Sequence, residues 1–334
     1  MRRPAVALGL AAVLAVAGCG SASEDPAVPD ADRTRPTGSS AAAPGGPSSS
    51  ASPGATPGAT PDDPELHQAL VAALDAPPQP PRTAARLVDG LVAAERAIAD
   101  PATAPDVLSA AAHVQQVAYR RLGQRPAWDA AVLRSVPRGL RSTVRANVAS
   151  RREFQSMSST PSDTLPAWRI VEPEPADRLL AHYRAAERRF GVDWEYLAAI
   201  NLVETAMGRI RGTSVAGARG PMQFIPATWA QYGRGDIEDA GDAVMAAARY
   251  LDARGFTRPG GRARALYAYN NHPAYVRGVT RLAEVMQDRP RAYLGYHRWR
   301  VYYRSAAGDV LLPVGYERER PVPVRRWLAR RSGG

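Results

Sequence analysis

The feature that most constrains this 334-residue chain is a long segment near its N-terminus that contains almost nothing able to form a core. Residues 20–63 are mainly Ser, Ala, Pro, Gly and Thr, with one valine and no aromatic residue, leucine, isoleucine or methionine. Such a composition cannot bury enough apolar surface to offset the entropy lost on ordering. We therefore predict a tether over residues 19–63, with a root-mean-square span of roughly 35–40 Å, and folded structure only from residue 64 onward.

The segment before the tether predicts export. Two arginines precede a 13-residue apolar run, Ala5 to Ala17, which is too short to span a bilayer and is typical of a signal peptide. The run ends in Val-Ala-Gly before Cys19, a pattern that resembles the bacterial lipobox. The resemblance implies a signal peptide over residues 1–18 and a lipidated Cys19 that anchors the protein to the bacterial cell membrane, facing the cell wall. The alternative is an ordinary buried cysteine.

Charge and cysteine content narrow the classes of function. The chain carries 43 basic residues against 32 acidic ones, a net charge of +11, and every basic residue is an arginine. A basic surface suits nucleic acid, but export and an anchor argue against that partner and leave the anionic polymers of the cell wall. One cysteine excludes an internal disulfide framework, and the five histidines lack metal-ligand spacing. We therefore expect neither a metal ion nor another cofactor.

Residues 64–155 are rich in alanine and have helical periodicity. We predict helices near residues 64–75, 82–99, 104–122 and 126–151. In the second helix, one apolar stripe is formed by Leu87, Leu91, Ala94 and Ile98. We interpret this region as a helical packing or spacer module. The alternative is that it binds other cell-wall proteins. A linker rich in Ser, Thr and Pro follows over residues 156–175.

The chemically informative region is residues 176–290, where we predict five or six helices ended by glycines. In the helix predicted over residues 193–207, Glu204 lies on the same stripe as Leu197, Ile200 and Met207. A carboxyl group on an apolar face is expected to have a raised pKa, as a general acid near neutral pH requires. Pairing of Glu204 with Arg209 or Arg211 is the competing interpretation, which periodicity alone leaves open.

Three sequence blocks in this region resemble the lytic transglycosylases of the soluble-lytic-transglycosylase and goose-type-lysozyme-like superfamily. The blocks are Glu204-Thr-Ala-Met-Gly, then Ser-Val-Ala-Gly-Ala-Arg-Gly-Pro-Met-Gln from Ser214 to Gln223, then Ala268-Tyr269-Asn270. The stretch from Asp236 to Leu251 is most similar to the membrane-bound B-type and actinobacterial branches. The resemblance implies a mainly α fold, with a lysozyme-like helical catalytic domain over residues 176–290.

The same resemblance implies roles for individual residues. Glu204 would be the single acid and base that cleaves the β-1,4 bond between N-acetylmuramic acid and N-acetylglucosamine in peptidoglycan glycan strands. The product would be a 1,6-anhydro sugar. Four residues are implied to bind the substrate: Ser214, Gln223, Tyr269 and Asn270.

Two alternatives keep this fold and change the function. A second carboxylate from the acidic cluster of Asp236, Glu238, Asp239 and Asp242 would give hydrolysis, as in a muramidase. We favour a placement of this cluster at a helix N-terminus, where negative charge is stabilising. The other alternative is a non-catalytic peptidoglycan-binding scaffold, against which the retained site residues argue. We expect His272, next to Pro273, to be a turn residue.

The last segment, residues 291–334, changes to a strand-like period. Residues 299–304 and 310–314 flank the sequence Ser-Ala-Ala-Gly-Asp at 305–309, which predicts a β-hairpin with a glycine-containing loop. The arginines from Arg325 to Arg331 are expected to form a solvated basic tail.

Overall fold

The structure is a computed structural model and describes residues 79–158 and 160–332. The predicted signal peptide, Cys19, the tether and the helix near residues 64–75 lie outside the described residues. Among the helices of the described ranges, none has the length and apolar character needed to cross a membrane.

The described part is mainly helical, with three two-stranded antiparallel sheets in which β1 pairs with β6, β2 with β3 and β4 with β5. The helices are α1 (Ala84–Ala99), α2 (Pro105–Gly123), α3 (Asp129–Ser135), α4 (Arg141–Ser156), α5 (Ala176–Phe190), α6 (Trp194–Thr205), α7 (Pro226–Tyr232), α8 (Ala240–Ala253), α9 (Gly261–Tyr269), α10 (Pro273–Asp288), α11 (Ala292–His297) and α12 (Val324–Ser332). The strands are β1 (Thr164–Leu165), β2 (Arg169–Ile170), β3 (Ile210–Arg211), β4 (Val301–Ser305), β5 (Gly308–Leu312) and β6 (Val322–Pro323). This architecture confirms the predicted fold class, mainly α with a small β-hairpin.

Helix α6 lies at the centre of the largest hydrophobic core. Every residue from Tyr196 to Thr205 is buried, as expected for a helix with few polar residues on any face. Helices α5, α8 and α10 pack around it. Glu204, in the last turn of α6, is therefore carried into the interior by its own helix.

The helices that precede this core pack against it through α4. Phe154 lies against Gly278 of α10, and the Ser150 hydroxyl donates to the Gly278 carbonyl oxygen at 2.9 Å. A Cβ atom at Gly278 would lie 2.5 Å from the Phe154 ring, so glycine is what allows the two helices to approach. Helix α4 thereby supports α10, which begins three residues after Asn270.

Two local predictions were wrong. The single helix predicted over residues 126–151 is divided into α3 and α4, because Pro137 lacks an amide hydrogen and forces Val136 into an extended conformation. The hairpin turn is shorter than predicted, since Ser305 pairs directly with Gly308. The C-terminal residues form β6 and α12, on which Arg325, Arg326 and Arg330 are exposed to solvent as predicted, and β6 pairs with β1 in the segment predicted as a linker.

The contact at Gly278 generates a stability prediction. Gly278→Ala is expected to lower the free energy of unfolding by about 1–3 kcal/mol, because the added methyl group overpacks the α4–α10 contact. Gly139→Ala is the matched control, since its Cβ would have no heavy atom nearer than 3.9 Å. Urea unfolding of the two variants checks the prediction; equal stability of both would contradict it.

Candidate active site

The Glu204 carboxyl is enclosed by the core and makes one hydrogen bond. Its residue is 2% exposed, and the Tyr275 hydroxyl of α10 donates to Oε1 at 2.8 Å. The other oxygen, Oε2, is buried and has no hydrogen-bond partner among the described residues. A buried polar atom left unpaired is costly, and such atoms are concentrated where a ligand supplies the missing partner.

Burial raises the pKa of the Glu204 carboxyl from 4.5 to about 8, and the hydrogen bond from Tyr275 opposes this shift. The two arginines considered as partners are engaged elsewhere: Arg209 pairs with Glu172 at 3.0 Å and Arg211 with Glu238 at 3.7 Å. The competing interpretation of Glu204 as half of a surface ion pair is therefore wrong. At neutral pH the carboxyl is mostly protonated and able to donate.

The backbone next to Glu204 is strained. Helix α6 ends at Thr205, two residues earlier than predicted, and Ala206 and Met207 adopt left-handed φ angles of 53° and 63°. Within the described ranges, Gln223 at 50° is the one further non-glycine residue with positive φ. Each such residue costs of order 1 kcal/mol and is characteristic of functional sites. All three lie in the blocks that the sequence analysis singled out.

The loop from Ser214 to Gln223 is clamped to the end of α6. The Pro221 carbonyl oxygen accepts a bond from Asn201 Nδ2 at 2.7 Å and one from Thr205 Oγ1 at 2.6 Å. Gly220 has φ +73°, and a Cβ there would lie 1.9 Å from the Ile237 carbonyl oxygen, so this position requires glycine. The loop therefore has a defined position relative to Glu204.

The structure links one of the four predicted substrate-binding residues, Tyr269, to Glu204 through Tyr275. The rings of Tyr269 and Tyr275 are nearly parallel, with their centroids 6.4 Å apart. The Tyr269 hydroxyl donates to the carbonyl oxygen of Met222, the residue before Gln223, at 2.7 Å. Gln223 is half-buried, and its amide Nε2 donates to the Gly220 carbonyl oxygen. Asn270 follows Tyr269 directly and is buried.

Ser214 has a different environment from the other predicted residues. Its hydroxyl oxygen accepts bonds from the backbone amides of Ala216 and Ala218, at 3.3 and 3.0 Å. These bonds close the turn at the start of the loop. Ser214 therefore shapes the loop from within, and its contact with a substrate stays a prediction.

The acidic cluster is used to organise the backbone before α8. Asp239 caps α8 by accepting from the Asp242 amide, and Asp242 accepts from the Asp236 amide, each at 2.9 Å. This is the helix-terminal placement that we favoured. His272 likewise caps α10, where its Nδ1 accepts from the Ala274 amide.

Tyr275 is the site residue that sequence reasoning missed. It shares the buried face of α10 with Val279, Leu282 and Met286, at a spacing typical of core residues. The one available signal was a phenol on an otherwise aliphatic face, shortly after the Ala-Tyr-Asn block. Its bond to Glu204 spans 71 residues of sequence, which no local pattern encodes.

A helical fold that buries one protonated glutamate beside a clamped, glycine-containing loop can hold a proton donor in a solvent-excluded site. Residues 182–289 match the family model of the Transglycosylase SLT domain. This match confirms the resemblance to lytic transglycosylases. It covers about a third of the chain.

One curated relative is also named as a lytic transglycosylase. Over 152 residues the chain is 27% identical to the membrane-bound lytic murein transglycosylase F of Thiobacillus denitrificans. The alignment covers 44% of this chain and 32% of that protein, so the chain spans about a third of the relative's length. No solved structure matches the chain. Within the described residues, no group of three or more His, Cys, Asp or Glu side chains is placed to hold a metal ion.

The raised pKa of Glu204 makes stability depend on pH in a defined direction. Between pH 4.5 and about 8 the unfolded chain ionises Glu204 while the folded chain keeps it neutral, so stability falls across this range. Glu204→Gln removes the effect. We expect the free energy of unfolding of this variant, relative to that of the parent, to rise by a few kcal/mol between pH 4.5 and 8.

Urea unfolding of both proteins across this pH range checks the prediction. Glu319→Gln, which changes an exposed carboxyl, supplies the baseline for loss of one acidic residue. A difference between Glu204→Gln and the parent that stays constant with pH would contradict the buried, neutral carboxyl.

Proposed function

We propose that this protein is a peptidoglycan lytic transglycosylase that uses Glu204 as its single acid and base. The observation that carries the proposal is the buried Glu204 carboxyl, whose Oε2 has no hydrogen-bond partner in the described part of the chain, within a matched Transglycosylase SLT domain. The substrate is the β-1,4 bond between N-acetylmuramic acid and N-acetylglucosamine. Gln223, Tyr269 and Asn270, with Ser214 at the base of the loop, bind the sugars around that bond.

In the first step, protonated Glu204 donates from Oε2 to the glycosidic oxygen, and the bond from that oxygen to C1 of N-acetylmuramic acid breaks. The acetamido group of the substrate assists at C1. Tyr275 holds Oε1 throughout and stabilises the carboxylate that forms. Because Oε2 is inaccessible to solvent, saccharide binding first displaces the side chains that cover it, and the proton is transferred away from bulk water.

In the second step, ionised Glu204 takes the proton of the C6 hydroxyl as that oxygen closes onto C1 and displaces the assisting acetamido oxygen from it. The product is a 1,6-anhydro sugar, Glu204 regains its proton, and no water is consumed. A carboxyl with a pKa of about 8 suits both transfers, since it is mostly protonated at neutral pH when it must donate, and its pKa lies close enough to that pH for it to give up and regain the proton.

The environment of the acidic cluster supports a transglycosylase over a hydrolase. A hydrolase needs a second carboxylate free to act as base or nucleophile. Asp236, Asp239 and Asp242 accept backbone bonds, and Glu238 lies 3.7 Å from both Arg211 and Arg219. The three aspartates are engaged with backbone amides and Glu238 faces two arginines, which supports Glu204 as the single acid and base.

We also propose that the enzyme is exported and held at the cell membrane through lipidated Cys19. The 13-residue apolar run and the Val-Ala-Gly-Cys sequence support this anchor. Residues 19–63 would then act as the tether, residues 64–155 as a helical module, residues 156–175 as a linker, residues 176–290 as the catalytic domain and residues 291–334 as a C-terminal extension. The tether lets the catalytic domain reach glycan strands above the membrane surface.

Product analysis tests the proposed reaction. Purified protein is incubated with peptidoglycan, and the released sugars are identified by mass spectrometry. We expect 1,6-anhydro-N-acetylmuramic ends from the parent and from Glu238→Gln, and none from Glu204→Gln, which should still bind peptidoglycan in a sedimentation assay.

Other products would overturn the proposal. Reducing ends would identify a muramidase, especially if Glu238→Gln abolished them. Absence of any release between pH 5 and 9 would identify a binding scaffold. Turnover retained in Glu204→Gln would place the acid elsewhere.

A further inference from the structure

A second cleft, distinct in its lining from the Glu204 site, opens beside the β-hairpin. It has a volume of about 680 Å³ and lies between the segment after β2, the end of α11 and strand β5. None of the residues around Glu204 line it. The volume is within the range of about 300–1,000 Å³ that is common for sites of small organic ligands.

Three arginines and one carboxylate line this cleft. Arg209 is buried and donates to the carbonyl oxygens of Trp299 and His297, at 3.0 and 2.8 Å, as well as to Glu172. Burial lowers the pKa of Arg209, Glu172 opposes the shift, and the charges of Arg300 and Arg298 add to the lowering. The three guanidinium groups are thus close enough to repel one another, and the Glu172 side chain is 74% exposed. The cleft has excess positive charge.

The backbone of Arg300 is held in place, but its guanidinium forms no ion pair within residues 79–158 and 160–332. The Gln116 side chain donates to the Arg300 carbonyl oxygen at 2.7 Å and accepts from the Arg300 backbone amide at 2.9 Å. Its guanidinium is half-buried and makes no hydrogen bond or ion pair with any residue in the described ranges. A partly desolvated guanidinium is stabilised by an anion that it can bind with two parallel hydrogen bonds.

Part of the cleft lining is apolar. It is formed by Leu312, Pro313 and Val314, and Val314 is 49% exposed. Pro173 and Pro175 extend this surface. A small inorganic anion would leave this apolar surface unused, whereas a peptide offers both aliphatic groups and carboxylates. The mixture of free guanidinium and apolar surface therefore favours an organic anion.

We propose that this cleft binds an acidic peptide through its carboxylates, with Arg300 and Arg298 as the principal contacts. The inference rests on the proposed function for the identity of the peptide, since the glycan strands of peptidoglycan carry short peptides rich in carboxylates and alanine methyl groups. Binding there would hold the peptide of one strand while Glu204 acts on the glycan. The cleft is thus a second substrate contact.

Calorimetric titration of the full chain tests the proposal. The probe is the pentapeptide Ala-γ-Glu-diaminopimelate-Ala-Ala, compared with the same peptide amidated at its carboxylates and with inorganic polyphosphate. We expect the free acid to bind about tenfold more tightly than the amide, and Arg300→Gln to weaken binding about tenfold. Glu172→Gln should tighten it, because that change removes the carboxylate that lines the cleft.

Controls separate this proposal from general charge effects and from the proposed function. Arg325→Gln makes the same charge change on exposed α12 and should leave the affinity unchanged. Arg298→Gln is a second cleft variant if Arg300→Gln lowers the melting temperature. Glu204→Gln should bind the peptide like the parent, so failure of glycan cleavage and failure of peptide binding are separate results.

Three results would overturn the proposal. They are equal affinity for acid and amide, equal effects of Arg300→Gln and Arg325→Gln, and tighter binding of polyphosphate than of the peptide.

Discussion

Desolvation of one carboxyl group is the constraint on which the rest of the structure depends. Helix α6 is buried along almost its whole length, and it carries Glu204 into the core at its last turn. Burial raises the pKa of this group to about 8, and Oε2 has no hydrogen-bond partner among the described residues. The fold thereby bears the cost of a buried, unpaired carboxyl oxygen at the position where the proposed chemistry needs a proton donor.

The surroundings of Glu204 hold this arrangement in place. Pro221 is clamped by Asn201 and Thr205, which fixes the loop against the end of α6. Tyr275 comes from α10, whose position depends on its contact with α4 through Gly278. Helices remote from the site in sequence therefore determine the geometry of the hydrogen bond to Glu204.

Much of the fold and part of the candidate site could be predicted from the sequence. The features that could not be predicted depend on tertiary contacts or on a proline whose effect was overlooked. The helical periodicity that placed Glu204 among apolar residues is local, and so are the glycine stops and the strand period of the hairpin. The bond from Tyr275 to Glu204 and the clamp on Pro221 arise from tertiary contacts that no local pattern contains. The break at Pro137 was readable from proline chemistry and was missed because the flanking periodicity is strong. The arginine-lined cleft depends on β5 and α11 meeting the segment after β2.

The most direct test of the account is a carbon-13 NMR titration of the Glu204 side-chain carboxyl, assigned by its loss in Glu204→Gln. The account predicts a midpoint near pH 8, and a higher midpoint in Tyr275→Phe, because that variant loses the hydrogen bond that favours the ionised form. A midpoint near 4.5, the ordinary value for a glutamate, would contradict the claim that a buried, protonated Glu204 is the acid of this site.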